Sequence, residues 1–462
     1  TADRFAFGTE FKTLVPAIPD PSVNSQALGD MLQNRDCFIW GEKTFVDEIR
    51  AVRPASYLEY DGESVETTEY WDVEYEQLPA ETYTERLLDA YETAVVETAS
   101  PLDGTVGANL SGGVDSRLLV SILSEHVDDL HTVTYDIHDR ADTEPARETA
   151  QTLRIRNEFT PISVSDFKDM MERGAELTDA MVPWLDYTNI RYVQEKSRSR
   201  FTTHIQSHGQ GPLFGDHFFW ETHFETDDPV EVFHEFYYRE GGYADELLTD
   251  DVDPRDSIAD EVERYREDSV EKTLLKVNRK NYYHGYHYRR EQYNYHCVPT
   301  VDILANGRIL SLAENMPERY RSHERELPWK IPSVIDPAPR LKLELITERG
   351  GGIEDIDYQR TQHPPSTPYW QQKLRYWLGH RLQIPGFRLP SGFPTTYIDL
   401  SRNDEEFRTT LRDLIESIAD RSFVDGDALC DMAEQHFSGE ADYIRPISIL
   451  TSLEVWLQRY VD

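Results

Sequence analysis

The sequence predicts an α/β fold built on a parallel sheet, and three observations predict it. Short apolar runs alternate with segments of helical periodicity between about residues 105 and 207. The first of these runs passes through a glycine-rich turn directly into a helix. The C-terminal half reads as helices separated by proline-rich loops, of which 362–368 (Gln-His-Pro-Pro-Ser-Thr-Pro) is the most conspicuous.

Taken in order, residues 1–75 are expected to form a small β-rich end piece. Arg4-Phe5-Ala6-Phe7-Gly8 and Ala55-Ser56-Tyr57-Leu58-Glu59-Tyr60 alternate in polarity, and Asp61-Gly62 closes the second run. A start inside an apparent strand, without an initiator Met, predicts that more of this domain precedes residue 1. A helix is expected at about 82–99, where Leu87, Leu88, Tyr91, Val95 and Val96 recur at near-helical spacing. Then follow a strand at Thr105–Leu110, a helix at 114–125, a strand at His131–Ile137, a helix at 144–153, and strands at Glu158–Val164 and Phe201–Ser207. Strands alternating with helices imply a parallel sheet covered on both faces. Residues from about 222 to 285 are acidic and largely helical in pattern, with Pro229, Pro254 and Gly241-Gly242 as breakers.

With 462 residues the chain is too long for a single ordinary core, and its apolar content makes disulfide staples unnecessary. Cys37, Cys297 and Cys430 stand far apart and form no C-x-x-C pair, which argues against a zinc module, a thiol relay or a secreted framework. Cys37 has no adjacent base and is expected to be buried. A reducing cytoplasm is the expected location. No run approaches the roughly 18 apolar residues that span a bilayer. The balance of 47 basic against 86 acidic residues gives a formal charge of −39. That charge would repel phosphate backbones and anionic membranes, so neither nucleic acid nor a membrane is an expected partner. Acidic residues recur along the whole chain and the cations are mostly Arg, the pattern of a surface adapted to molar salt.

Chemistry concentrates where Val106-Gly107-Ala108-Asn109-Leu110 runs into Ser111-Gly112-Gly113-Val114-Asp115-Ser116. Strand, glycine-rich turn and helix follow one another, so consecutive N–H groups and the positive end of the helix face one point. Two serine hydroxyls add donors, and the nest suits phosphates. Asp115 at the helix start is a capping residue in the bland reading; beside phosphate oxygens it can hold Mg²⁺. The pattern is neither a Walker loop nor a dinucleotide fingerprint.

The S-G-G-x-D-S loop resembles that of the ATP-pyrophosphatases, and within them the chain looks like asparagine synthetase over nearly its whole length. Phe7-Gly8-Thr9-Glu10-Phe11-Lys12-Thr13-Leu14 and Tyr70-Trp71 are similar to the close of that family's Ntn-type glutaminase domain. Pro299-Thr300-Val301-Asp302 resembles its P-F-L-D, Asn315-Met316-Pro317 falls at its downstream L-P, and Ser448–Val461 is like its last helix. The resemblance implies the end of a glutaminase-like domain over 1–75 and a PP-loop synthetase domain over 76–462. It implies an ATP site of Leu110, Ser111, Gly112, Gly113, Asp115 and Ser116, with Ile137, Ser207 and Gly209 added from later segments. It also implies Mg²⁺ on Asp115, where Asp216 could reach the same cation in place of the family's lost carboxylates, and catalytic roles for Asp302 and, standing in for the family's lysine, Arg360. The implied reaction activates a small-molecule carboxylate, aspartate or an analogue, as an acyl-adenylate with loss of pyrophosphate, and ammonia from glutamine then gives the amide. A homodimer is the implied assembly.

The family's second loop, S-G-E-G-x-D-E-L-F-G-G-Y, aligns with Gln206–His217, and here His208, Gly211 and Pro212 stand where carboxylates are expected. The later basic loop R-P-K-x-G-F aligns with Tyr358-Gln359-Arg360-Thr361-Gln362-His363-Pro364 and has lost its lysine. Arg360 is the substitute cation; Lys330 and Lys342 are fallback candidates, each expected at the surface. Tyr295 replaces the acidic residue before P-F-L-D, so the acceptor need not be aspartate. A β-lactam-synthetase or peptide-cyclase type of ligase, a tRNA-modifying relative and a non-catalytic nucleotide binder therefore stay open, the tRNA reading disfavoured for want of a basic stripe. His284, His287 and His296 lie among tyrosines, and H-x-x-H could ligate zinc. No third ligand has suitable spacing, and an aromatic helix at a domain interface is the expectation.

Overall fold

The computed structural model describes residues 5–136, 143–161, 164–186, 200–214, 226–238, 242–289, 296, 298–321, 340–359, 361–381 and 393–462. Two strands near the N-terminus, β1 (Ser56–Tyr60) and β2 (Val65–Glu69), make an antiparallel hairpin. The remaining five are β3 (Val106–Asn109), β4 (Leu130–Asp136), β5 (Arg156–Pro161), β6 (Thr203–Gln206) and β7 (Thr300–Asp302). They form one sheet in the order β5-β4-β3-β6-β7, parallel throughout. The expected α/β class is therefore the observed one. The chain leaves β3 first toward β4 and β5, then returns to add β6 and β7 on the other side, so the sheet's switch point lies at the carboxyl end of β3. Ligands of open α/β sheets bind at such a point.

Helices α2 (Tyr83–Ala99) and α3 (Val114–His126) pack against this sheet. Leu87, Tyr91 and Val95 of α2 join Leu118, Leu119 and Ile122 of α3 and Val106, Ala108 and Ile205 of the strands in one buried core. Burial of the sheet strands explains why β3 reads as a continuous apolar run. Gly107 is required within it, because a Cβ there would lie 2.5 Å from the ring of Phe201. A second core gathers the C-terminal helices Glu405–Ala419, Gly426–Ser438 and Ile444–Tyr460 around Trp184, whose indole N–H donates to Thr451 Oγ1 at 2.8 Å.

Three expectations need correction. The segment 1–75 is less β-rich than its alternation suggested: its described part holds one hairpin and a helix, α1 (Ser25–Gln33), capped by Asn24. Residues 5–8 are not a strand; Phe7 is 85 % exposed, so the alternation there has no sheet face to bury. β5 stops at Pro161 and Val164 already opens a helix, since proline has no N–H to continue a ladder. β7 was not foreseen, being three residues long with an exposed centre at Val301.

The N-terminal segment is held through both cores, with Phe38 and Trp40 in the first and Leu28 and Phe45 in the second. Phe38 also packs against Tyr282 of the π-helical turn Arg279–Tyr288, the aromatic interface expected there. Cys37 is buried, as expected, with Arg445 Nη1 donating to its Sγ at 3.2 Å. Among the described residues no helix is long and apolar enough to cross a membrane.

Candidate nucleotide site

At the carboxyl end of β3 the backbone turns through Leu110, which is buried, and enters α3 at Val114 with Gly113 as N-cap. The turn is closed by its own serines. Ser111 N donates to Ser116 Oγ at 3.0 Å, the two hydroxyls share a hydrogen bond of 3.0 Å, and Gly113 N donates to Ser111 Oγ at 3.2 Å. The N–H groups of Ser111 and Gly113 are thus engaged within the turn and would exchange these bonds for an anion, to which the start of α3 adds its positive end.

Asp115 stands in the first turn of α3. Its Oδ2 accepts from Lys342 Nζ at 2.9 Å, while its Oδ1 is buried with no hydrogen-bond partner among the described residues. Lys342 lies on the helix Arg340–Arg349 and is only 5 % exposed. The expectation of a surface lysine is thus wrong: Leu341, Leu343 and Leu345 anchor its helix in the core and turn Lys342 toward the loop.

The loop after β6 meets the same place. Gly209 adopts φ +99°, a left-handed conformation natural to glycine, and starts a single helical turn at Gln210. The buried Gln210 amide then reaches Tyr91 Oη at 2.6 Å, Ser207 Oγ at 2.8 Å and the carbonyl of Asp115 at 3.2 Å. Ser207 and Gly209 are therefore brought beside the first loop through a residue that motif matching passed over. Burial pushes the Tyr91 phenol well above its ordinary pKa, and the nearby carboxylates of Asp115 and Asp302 push it further. Asp302 closes β7 and caps the turn that follows, its Oδ1 accepting from Leu304 N at 2.9 Å.

Beneath the loop lies Arg117, fully buried. Its guanidinium donates to the carbonyls of Gly112, Ile353, Ile356 and Asp357 at 3.3, 3.1, 2.8 and 3.0 Å. Burial draws its pKa down to about 10, which leaves it charged at neutral pH. Neither Arg117 nor Gln210 matched a motif residue; a charged side chain inside the apolar run of α3 was the one available signal for Arg117. Ile137, Asp216, Lys330 and Arg360 lie outside the described residues.

On the β7 side, a cavity of about 340 Å³ is lined by Trp71, Arg279, Tyr283, His284, Ala305 and Leu310, among others. Tyr283 Oη donates to Gly209 O at 3.4 Å, so this cavity adjoins the second loop.

Comparison with known proteins agrees with this geometry. Residues 86–295, which include β3, both loops and the π-helical turn, match the family model for asparagine synthase. The chain is also similar to the protein named asparagine synthetase [glutamine-hydrolyzing] 1 of Bacillus subtilis (strain 168), with 23 % identity over 481 residues that cover 98 % of this chain and 72 % of the relative. The family match falls on the segment that builds the serine–glycine loop, and the similarity to the Bacillus protein extends on both sides of it; together they support a member of the asparagine synthetase family.

Proposed function

We propose that the chain is an ATP-dependent ligase that forms a carbon–nitrogen bond, activating a carboxylate as its acyl-adenylate, releasing pyrophosphate and then taking ammonia to give an amide. The observation that carries this reading is the serine-closed loop at the start of α3 with Lys342 beside it. The N–H groups of the loop and the two hydroxyls would hold the β- and γ-phosphates, so the α-phosphorus is left facing the acceptor. Charge that develops on the departing pyrophosphate then meets donors already in place. Lys342, held against Asp115 in the first turn of α3, would face that charge and takes over the role first considered for Arg360.

The buried, unpartnered Oδ1 of Asp115 fits a hard cation, so Asp115 is the residue that would hold Mg²⁺. When bound, the ion would neutralise phosphate charge. The second loop offers hydroxyl and backbone oxygen atoms in place of the family's carboxylates, with Gln210 as its link to Asp115.

The cavity beside Tyr283 and Arg279 is our candidate for the acceptor chamber, its aromatic wall suiting a bulkier carboxylate than aspartate. Residues 1–75 are assigned to the end of a glutaminase-like domain and 76–462 to the synthetase. Supporting this, the relative named as glutamine-hydrolysing aligns with nearly the whole chain. The test is incubation with ATP, Mg²⁺, ammonia or glutamine and a panel of carboxylates, followed by chromatography of the nucleotides. AMP and pyrophosphate formed in step with amide are expected; ADP formed in step with amide refutes the mechanism.

A further inference from the structure

The buried guanidinium of Arg117 has four acceptors and, among the described residues, no carboxylate in contact with it. All four partners are backbone carbonyls, one in the phosphate loop at Gly112 and three in the segment Ile353–Asp357, some 240 positions away. Among the described residues the carboxylates that act on it, Glu148 and Asp357, form no ion pair with it. The carbonyls accept from Nη1 and Nη2 while Nε is buried without a partner among the described residues, and Glu148 and Asp357 act on the charge only from beyond ion-pair distance, whereas buried charges are ordinarily paired closely.

The direction of these bonds matters as well. Gly112 O is drawn toward Arg117 Nη2 and also accepts from Gln359 N at 3.5 Å. Because a trans peptide sets C=O and N–H on opposite sides, turning Gly112 O inward turns the N–H of Gly113 the other way, where it donates to Ser111 Oγ at 3.2 Å. One side chain thus fixes the Gly112–Gly113 peptide, docks the 353–359 segment against the loop and places a positive charge under it.

We propose that Arg117 is a positioning residue of the phosphate loop, and that its buried guanidinium, which no described carboxylate meets at ion-pair distance, adds positive charge that the pyrophosphate of ATP feels. The proposal rests on the ATP-ligase reading above. It separates two contributions that a purely structural role would merge: the hydrogen bonds that shape the loop and the charge that the ligand feels.

The experiment is calorimetric titration of the full chain with Mg²⁺-pyrophosphate and, separately, with uncharged adenosine. Wild type, Arg117→Lys and Arg117→Met are compared at one salt concentration. Arg117→Met should weaken pyrophosphate at least about tenfold while adenosine changes by no more than about twofold, and Arg117→Lys, which keeps the charge, should recover most of the loss. Unchanged pyrophosphate affinity in Arg117→Met overturns the proposal, as does equal weakening of both ligands or no recovery by Lys. Failure of wild type to bind pyrophosphate overturns the ATP-ligase reading and this inference with it, so the two failures are distinguishable. Should the variants not fold, ¹⁵N-arginine-labelled wild type answers the question. Its slowest-exchanging guanidinium signal should shift with pyrophosphate and not with adenosine; a signal that moves with neither overturns the proposal.

Discussion

Lys342 Nζ sits 2.9 Å from Asp115 Oδ2, joining the helix Arg340–Arg349 to the first turn of α3 across 227 positions of sequence. The pair leaves the other Asp115 oxygen buried and open to a cation. Asparagine in place of Asp115 would keep the shape but lose the charge. In the wild type, ATP with Mg²⁺ at about 100 times its Kd should stabilise the fold by about 2.7 kcal/mol through mass action. Asp115→Asn should lose most of the corresponding melting shift, as read by differential scanning fluorimetry; an undiminished shift would remove Asp115 from the metal.

Lys342→Met removes the cation while keeping the length of the side chain. Turnover should fall by about a hundredfold, the range seen when one stabilising donor is lost from a transition state. The KM for ATP should change much less, because the loop N–H groups and hydroxyls remain. Steady-state kinetics decides the matter, and an unchanged kcat would return the role to Arg360.

Gln210 links the two loops through Tyr91, Ser207 and the carbonyl of Asp115. Replacing it with Leu strands these buried polar groups, which costs about 1–3 kcal/mol. The KM for ATP should rise roughly tenfold, and Gln210→Asn should not restore it because the shorter amide cannot span the three partners. A wild-type KM in Gln210→Leu would mean that the loops hold their places independently.

His436 predicts a pH dependence of stability. Tyr443 N donates to its Nδ1 at 3.2 Å, so Nε2 carries the proton and lies 2.8 Å from Ser401 Oγ. Burial, with Arg402 nearby, lowers its pKa to about 4 in the folded chain. Between the ordinary value near 6.5 and about 4 the unfolded chain binds more protons than the folded one, so this residue makes stability fall as pH falls through that window. Urea unfolding at a series of pH values should show the slope, and His436→Gln should flatten it; an unaltered slope would clear His436 of any part in it.

The formal charge of −39 is spread along the chain. Lowering salt from about 1 M to 0.1 M lengthens the Debye screening distance from about 3 Å to about 10 Å, and self-repulsion grows accordingly. Loss of the native circular-dichroism signal on dilution of salt is expected, and a full signal at low salt would refute adaptation to brine.

The sequence alone determined the α/β class and the strand–turn–helix of the serine–glycine loop, because each is local. The apolar run 106–110, the two glycines and the helical periodicity after Val114 fall within a few residues of one another, and their chemistry depends on that spacing. Hydrophobic alternation failed at residues 5–8, which pair with no strand among the described residues, and the three-residue β7 was too short to show any pattern. Tertiary structure decided what completes the site. Lys342, Gln210 and Tyr91 reach the loop from elements far away in sequence, and Arg117 is met by carbonyls about 240 residues downstream. A lysine whose neighbours are leucines reads as surface or core according to which way its helix turns, and that orientation is set by packing between distant segments, which no local spacing records.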